Sequence, residues 1–224
     1  MFDEEIYVGY NYLKFEIKEE LLIMKHLFVQ GENSSRPTLL LLHGTGGNEH
    51  DLVGLGKEID SSANILSVRG NVLENGMPRF FKRLAEGVFD LEDLQARTEE
   101  LKNFLDEAAQ TYKFDRDQVV AIGYSNGANI AGNLLFEYKD VVKGAILHHP
   151  MVPRRGVEIP VMSGTSVFIG AGKNDFMCPA VESEELRDLL QNAGAVVEMH
   201  WHDYGHQLTQ GEVQAAKEWY KANF

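Results

Sequence analysis

The chain has 224 residues, 44% of them hydrophobic, enough for one globular domain with a large core and too apolar for a disordered polymer. Thirty-four acidic side chains against twenty-one basic ones give a net charge of −13, which disfavours nucleic-acid backbones and anionic membranes as partners. A single cysteine, Cys178, rules out an intrachain disulfide framework and fits a reducing cytoplasm, where its expected role is that of a small buried filler.

No apolar run approaches the ~20 residues of a membrane span, and the first residues lack the basic, apolar, small-residue order of a signal peptide. Met1 to Ile23 is read as an N-terminal extension to a single domain over residues 24–224. It carries Tyr7, Tyr10, Tyr12 and Phe15 among many acids, and weak alternation over Tyr10 to Ile17 would suit an added edge strand. Lys18-Glu19-Glu20 can also be encoded by a purine-rich ribosome-binding sequence at a suitable distance from Met24, so native translation is expected to begin at Met24.

From there, short β-branched or leucine-rich runs alternate with helical patterns. His26 to Val29 is the first predicted strand, and Thr38 to Leu42 is a continuous apolar run expected at the centre of a sheet. It ends in His43-Gly44-Thr45-Gly46-Gly47-Asn48, and Asn48 is placed to cap a helix over Glu49 to Ile59. Neither G-x-G-x-x-G nor G-x-x-x-x-G-K-[ST] occurs in this glycine-rich loop, so nucleotide binding is not indicated. Asn64 to Val68 is the next strand. Arg69 to Asp90 is a long connection rich in apolar side chains, expected to form a partial cover over a site, with Met77 and Phe80 as candidate substrate-binding residues. Leu91 to Tyr112 has helical apolar spacing, Gln118 to Ile122 reads as a buried strand, and a helix follows Ser125. Strands are predicted over Gly144 to Pro150, Ser166 to Ala171 and Ala195 to Trp201, with helices over Glu182 to Gln191 and Gly211 to Asn223. This alternation implies an α/β fold: a mostly parallel sheet of about seven strands with helices on both faces.

Gly123-Tyr124-Ser125-Asn126-Gly127 matches G-x-S-x-G in the strand–turn–helix context that gives the motif meaning. A nucleophilic serine on such a turn needs a base, and the base an orienting acid. Asp175 and His206 each lie in a loop after a predicted strand, where reactive groups collect in a doubly wound sheet. The order Ser125, Asp175, His206 is that of the α/β-hydrolases. The backbone N–H groups of Thr45 and Asn126 are the candidate oxyanion donors. Asp175 could instead be a turn residue and His206 an ordinary loop histidine. His43 is expected to pack and hold its loop. His148 and His149 end one strand and His200 and His202 share a face of another, but no H-E-x-x-H or thiolate cluster accompanies them, so no catalytic metal is expected.

His43-Gly44-Thr45-Gly46-Gly47, Gly123-Tyr124-Ser125-Asn126-Gly127, Gly172-Lys173-Asn174-Asp175 and Gly205-His206 together resemble the bacterial phospholipase/carboxylesterase family of α/β-hydrolases. Arg69 to Gly76, Gly123 to Asn129 and Gly205 to Thr209 look like its hydroquinone-resistance carboxylesterase subgroup. The resemblance covers Met24 to Phe224 and implies a carboxylic-ester hydrolase without metal or organic cofactor, often a homodimer; a small-molecule ester is the expected substrate and the cytoplasm the expected compartment. Its relatives include lysophospholipases and acyl-protein thioesterases. Asn126 in place of glutamine, and the Thr45-Gly46-Gly47 loop, depart from those relatives and argue against long-chain acyl specificity. A reading of another class is a non-catalytic binding protein on a hydrolase fold.

Overall fold

The computed structural model describes residues 24–224; the expectations for Met1 to Ile23 lie outside the described residues. Eleven strands and five helices follow one another along this span. The strands are β1 (His26–Val29), β2 (Thr38–Leu42), β3 (Ile65–Val68), β4 (Val72–Glu74), β5 (Met77–Arg79), β6 (Arg83–Ala85), β7 (Val88–Phe89), β8 (Val119–Tyr124), β9 (Gly144–His148), β10 (Ser166–Gly172) and β11 (Val196–His202). The helices are α1 (Val53–Ile59), α2 (Leu91–Tyr112), α3 (Asn126–Glu137), α4 (Ala180–Asn192) and α5 (Gln210–Asn223).

Seven strands form one sheet in the order β1-β3-β2-β8-β9-β10-β11. Only β1 runs antiparallel to its neighbour; the other pairs are parallel. Successive side chains of a strand point to opposite faces, so a doubly covered strand is apolar throughout. In β2, Leu40 and Leu42 enter one core while Leu39 and Leu41 enter the other. The first core is closed by α2, α3 and α4 through Leu101, Leu105, Leu134 and Leu186, the second by α1 and α5 through Ile59, Val213, Trp219 and Tyr220. The chain adds β3 on one side of β2 and then crosses to add β8 on the other. The carboxyl ends of β2 and β8 therefore flank the topological switch point, where open α/β sheets form their crevices. Those ends lead into the Thr45 loop and into Ser125.

One expectation needs correction. The helix expected over 49–59 begins only at Val53, and Asn48 does not cap it: its Oδ1 accepts the His50 N–H at 2.9 Å within a turn. Asn48 to Leu52 is held in turns instead, with the Asn48 N–H on Asp51 Oδ2 at 3.1 Å. The long connection over 69–90 folds into two hairpins, β4–β5 and β6–β7. Asn75 and Gly76 both have positive φ, 52° and 79°, between β4 and β5. This is the type I′ turn that an Asn-Gly pair favours, because only such residues take the left-handed region twice in succession at low cost.

Candidate active site

The turn between β8 and α3 places Ser125 at φ 52°, ψ −113°, a conformation costly for a residue with a Cβ and held here by its surroundings. The Ser125 N–H donates to the His148 carbonyl at 2.9 Å, and its own carbonyl accepts the Asn129 N–H at 3.0 Å. A side chain at Gly127 would overlap the Leu42 carbonyl, and one at Gly123 would meet the Gly127 carbonyl at 2.5 Å. Both glycines are thus required by close backbone approach where α3 crosses β2.

His206 and Asp175 are brought to this serine from the loops after β11 and β10. His206 Nε2 lies 2.9 Å from Ser125 Oγ, and His206 Nδ1 lies 2.7 Å from Asp175 Oδ2. Asp175 is buried, and its Oδ1 accepts the Met177 and Cys178 N–H groups, each at 2.9 Å. Burial opposes its ionisation, but those N–H bonds and the imidazoles of His149 and His206 hold its carboxyl below the usual range. An ionised Asp175 makes Nδ1 the protonated nitrogen of His206 and leaves Nε2 to accept from the serine hydroxyl. The Tyr124 hydroxyl donates to the His206 carbonyl at 2.5 Å and so anchors the histidine's backbone.

The Thr45 and Asn126 N–H groups have no intramolecular acceptor among the described residues. Asn126 opens α3, whose first amides have no partner in the helix and whose dipole favours negative charge. The β4–β5 hairpin braces both donors. Arg79 Nη1 donates to Thr45 Oγ1 at 2.8 Å, the Gly46 N–H reaches the Pro78 carbonyl at 2.9 Å, and the Phe80 N–H donates to Asn126 Oδ1 at 2.7 Å. Arg79 is buried, faces Glu74 and also lines the cleft beside Thr45, while Arg69 pairs with Glu49. His43 is a loop-holding residue: one ring nitrogen meets the Gly44 carbonyl at 2.6 Å and the other accepts the Gly70 N–H at 3.1 Å.

Ser125, His206, Thr45 and Asn126 open onto one cleft of about 50 Å³, with Arg83, Phe89, Asn129, Met151, Met177 and Cys178 in its walls. Neither substrate-binding candidate is among the lining residues. Phe80 is only 1% exposed and packs in the core against His43, with ring centroids 4.8 Å apart. Its large apolar ring is better satisfied beneath the hairpin than in a partly hydrated cleft. Met77 is 41% exposed and stands over Gly46 at the rim. Cys178 is buried, and that burial pushes its thiol well above the ordinary range, as expected for a filler rather than a nucleophile.

Behind the triad lies a second polar cluster that no local motif announces. Asp175 Oδ2 also receives His149 Nδ1, at 2.8 Å. Glu212, fully buried at the start of α5, faces His148 Nδ1 at 2.5 Å, His149 Nε2 at 3.2 Å and His202 Nε2 at 3.1 Å. The available signal was the His148-His149 pair at the carboxyl end of a strand, but nothing local ties it to a glutamate 63 residues away. His149, His202 and Glu212 have donor atoms within 4.8 Å of one another, as do His149, Asp175 and His206. The Tyr204 N–H donates into His202 Nδ1 at 3.2 Å, which puts that ring's proton on Nε2 and makes Nε2 a hydrogen-bond donor, not a metal ligand. In the second set, His206 Nε2 faces the serine and the remaining contacts are hydrogen bonds to Asp175. Neither group is arranged as a metal centre.

No helix among the described residues is long and apolar enough to cross a membrane. The chain is 64% identical over 198 residues to the Bacillus subtilis (strain 168) protein "Putative hydrolase MhqD", covering 88% of this chain and 98% of that one. It superposes on the Bacillus cereus carboxylesterase with a TM-score of 0.89 at 65% identity, over 90% of this chain and 95% of that one. It also superposes on YahD, solved with malic acid, with a TM-score of 0.86 at 34% identity, over 90% of this chain and 100% of that one. The dienelactone hydrolase family profile matches residues 81–222. With the seven-stranded sheet and the serine turn at its switch point, these likenesses identify the chain as a member of the dienelactone hydrolase family, built on the α/β-hydrolase fold.

Proposed function

We propose that this chain is a serine carboxylesterase that cleaves small to medium, apolar or aromatic esters through an acyl-enzyme. The observation that carries this is the unbroken relay from Ser125 Oγ through His206 to Asp175, at 2.9 and 2.7 Å, opening onto the same cleft as two unpaired N–H groups. His206 takes the serine proton as Oγ attacks the ester carbonyl. The Thr45 and Asn126 N–H groups receive the oxyanion, and Asp175 stabilises the imidazolium and holds its tautomer. His206 then protonates the departing alcohol, and a water activated by the same imidazole releases the acid. The likeness to the Bacillus cereus carboxylesterase supports the ester as the bond cleaved.

The cleft is small, about 50 Å³, and opens to solvent, which favours a short acyl group. The test is hydrolysis of an aryl ester series of increasing acyl length by the wild type and Ser125→Ala, with fluorophosphonate labelling. Turnover is expected to fall as the chain lengthens, and both turnover and labelling to vanish in the variant. Rates that rise with chain length would instead support a lysophospholipase or acyl-protein thioesterase. A wild type with neither turnover nor labelling would support a non-catalytic binding protein.

A further inference from the structure

We propose that His149 is held as a doubly protonated imidazolium between Asp175 and Glu212, and that this buried cation sets the charge of the triad acid. The proposal rests on the esterase reading for its consequence, but not for the protonation state itself. The side chains of His149, Asp175 and Glu212 are all fully removed from solvent. Two carboxylates in such a place are costly unless a cation lies between them.

The protons can be counted from the contacts. His202 donates through Nε2 to Glu212 Oε2, because its Nδ1 already accepts the Tyr204 N–H. His148 meets Glu212 Oε1 through Nδ1, and its Nε2 is buried without a partner. A bare lone pair there costs less than a buried N–H, so the His148 proton sits on Nδ1 and is donated. On its other side, His149 donates Nδ1–H to the Asp175 oxygen that His206 also uses. The one proton left to place lies between Glu212 Oε2 and His149 Nε2. Oε2 already accepts from His202, and Asp175 at the far ring nitrogen draws positive charge, so both favour the imidazole. Burial works against a charged His149, yet its bonds to Glu212 and Asp175 prevail and raise it above the ordinary histidine range. Glu212, despite its own burial, is held far below the carboxylate range by His148 and His149.

The fold makes a place for this cluster. A side chain at Gly170 would overlap the Glu212 carboxylate, and His149 keeps a left-handed φ of 53° while its N–H donates to the Gly170 carbonyl at 2.7 Å. The other groups facing the His149 ring are Tyr124, His202 and His206, with centroids 5.8, 5.3 and 5.1 Å away. The Tyr124 hydroxyl is neutral, pushed up to about 12 by burial and then by the charge of Asp175. Asp175, Glu212 and the His149 cation thus present one net negative charge, which the imidazolium of His206 neutralises during reaction. A neutral His149 would leave the charge of Asp175 undamped beside His206.

The experiment is nitrogen-15 NMR of the full chain labelled in its eight histidines, as wild type and as Ser125→Ala, from about pH 5.5 to about pH 9. Both ring nitrogens of His149 are expected to stay protonated throughout, in a protein whose metal content is below stoichiometric. In Glu212→Gln, His149 should lose its second ring proton within that window. The acid limb of the kcat/KM profile should then move up by about one pH unit, with the alkaline plateau held within about threefold. His149→Gln should move the limb the same way. A singly protonated His149 in the wild type at neutral pH, a stoichiometric metal, or an unmoved acid limb in a folded Glu212→Gln would each overturn the proposal. The wild-type spectrum decides the protonation state even if a variant misfolds or no ester is turned over.

Discussion

Replacing Asp175 with asparagine preserves its shape and reverses the two hydrogen bonds that its Oδ2 accepts from His206 and His149. The Met177 and Cys178 N–H groups, each 2.9 Å from Oδ1, require an acceptor there, so the amide oxygen of the variant takes that place. The amide NH₂ must then face His206 and His149. A donor directed at His206 Nδ1 drives its proton to Nε2, the atom that has to receive the serine proton. The charge that stabilises the imidazolium disappears as well. Two unit charges about 4 Å apart at an effective dielectric near 20 interact by about 4 kcal/mol, and forcing the wrong tautomer adds about 1–2 kcal/mol. The sum is about 5–6 kcal/mol, or ~10⁴-fold in rate, the order measured for the equivalent change in a serine protease. The assay is kcat/KM on a short-chain aryl ester, with near-ultraviolet circular dichroism to establish that the variant is folded. A loss smaller than about a hundredfold in a folded Asp175→Asn would show that Asp175 is not the orienting acid.

Gly127→Ala forces a methyl group into the Leu42 carbonyl, a main-chain overlap with no flexible end to move aside. It should cost about 3–5 kcal/mol in urea unfolding, and a variant within 1 kcal/mol of wild type would refute the close-approach argument. Tyr124→Phe removes the 2.5 Å bond to the His206 carbonyl and should lower stability by about 1–2 kcal/mol and kcat by about tenfold. Unchanged kcat would mean the loop is held by other contacts. The buried cluster makes stability depend on pH in two directions. Glu212 is depressed in the folded state, so its contribution is present above the unfolded carboxylate value near 4.3 and lost as pH falls toward the folded one. His149 is raised, so its contribution is complete below about 6.5 and lost as pH rises through its folded value. The excess Tm of the wild type over Glu212→Gln should therefore be greatest between about pH 4.3 and 6.5. An excess that keeps growing above that window would contradict the sign of the His149 shift.

The sheet-forming segments and most of the helices are legible along the chain, because a strand covered on both faces must be apolar throughout and an amphipathic helix must repeat its apolar face. β1 and β2 fall where the apolar runs place them, and α2 spans the Leu91 to Tyr112 pattern. Ser125, Asp175 and His206 were legible as candidates because each follows a strand of the kind that ends at a crevice. The Asn75-Gly76 hairpin was not anticipated, although an Asn-Gly pair carries that turn signal in local residues. Where the helix after Asn48 begins was not legible, because the Asn48 and Asp51 side chains bind nearby N–H groups and compete with helix formation.

That Phe80 fills the core and that the β4–β5 hairpin braces both unpaired N–H groups follows from long-range packing. It alone joined Glu212 to His148, His149 and His202 behind the triad acid. Apolar periodicity records which side of an element is buried. Which elements then become neighbours depends on strand order, and a hydrogen bond across 63 residues leaves no local trace.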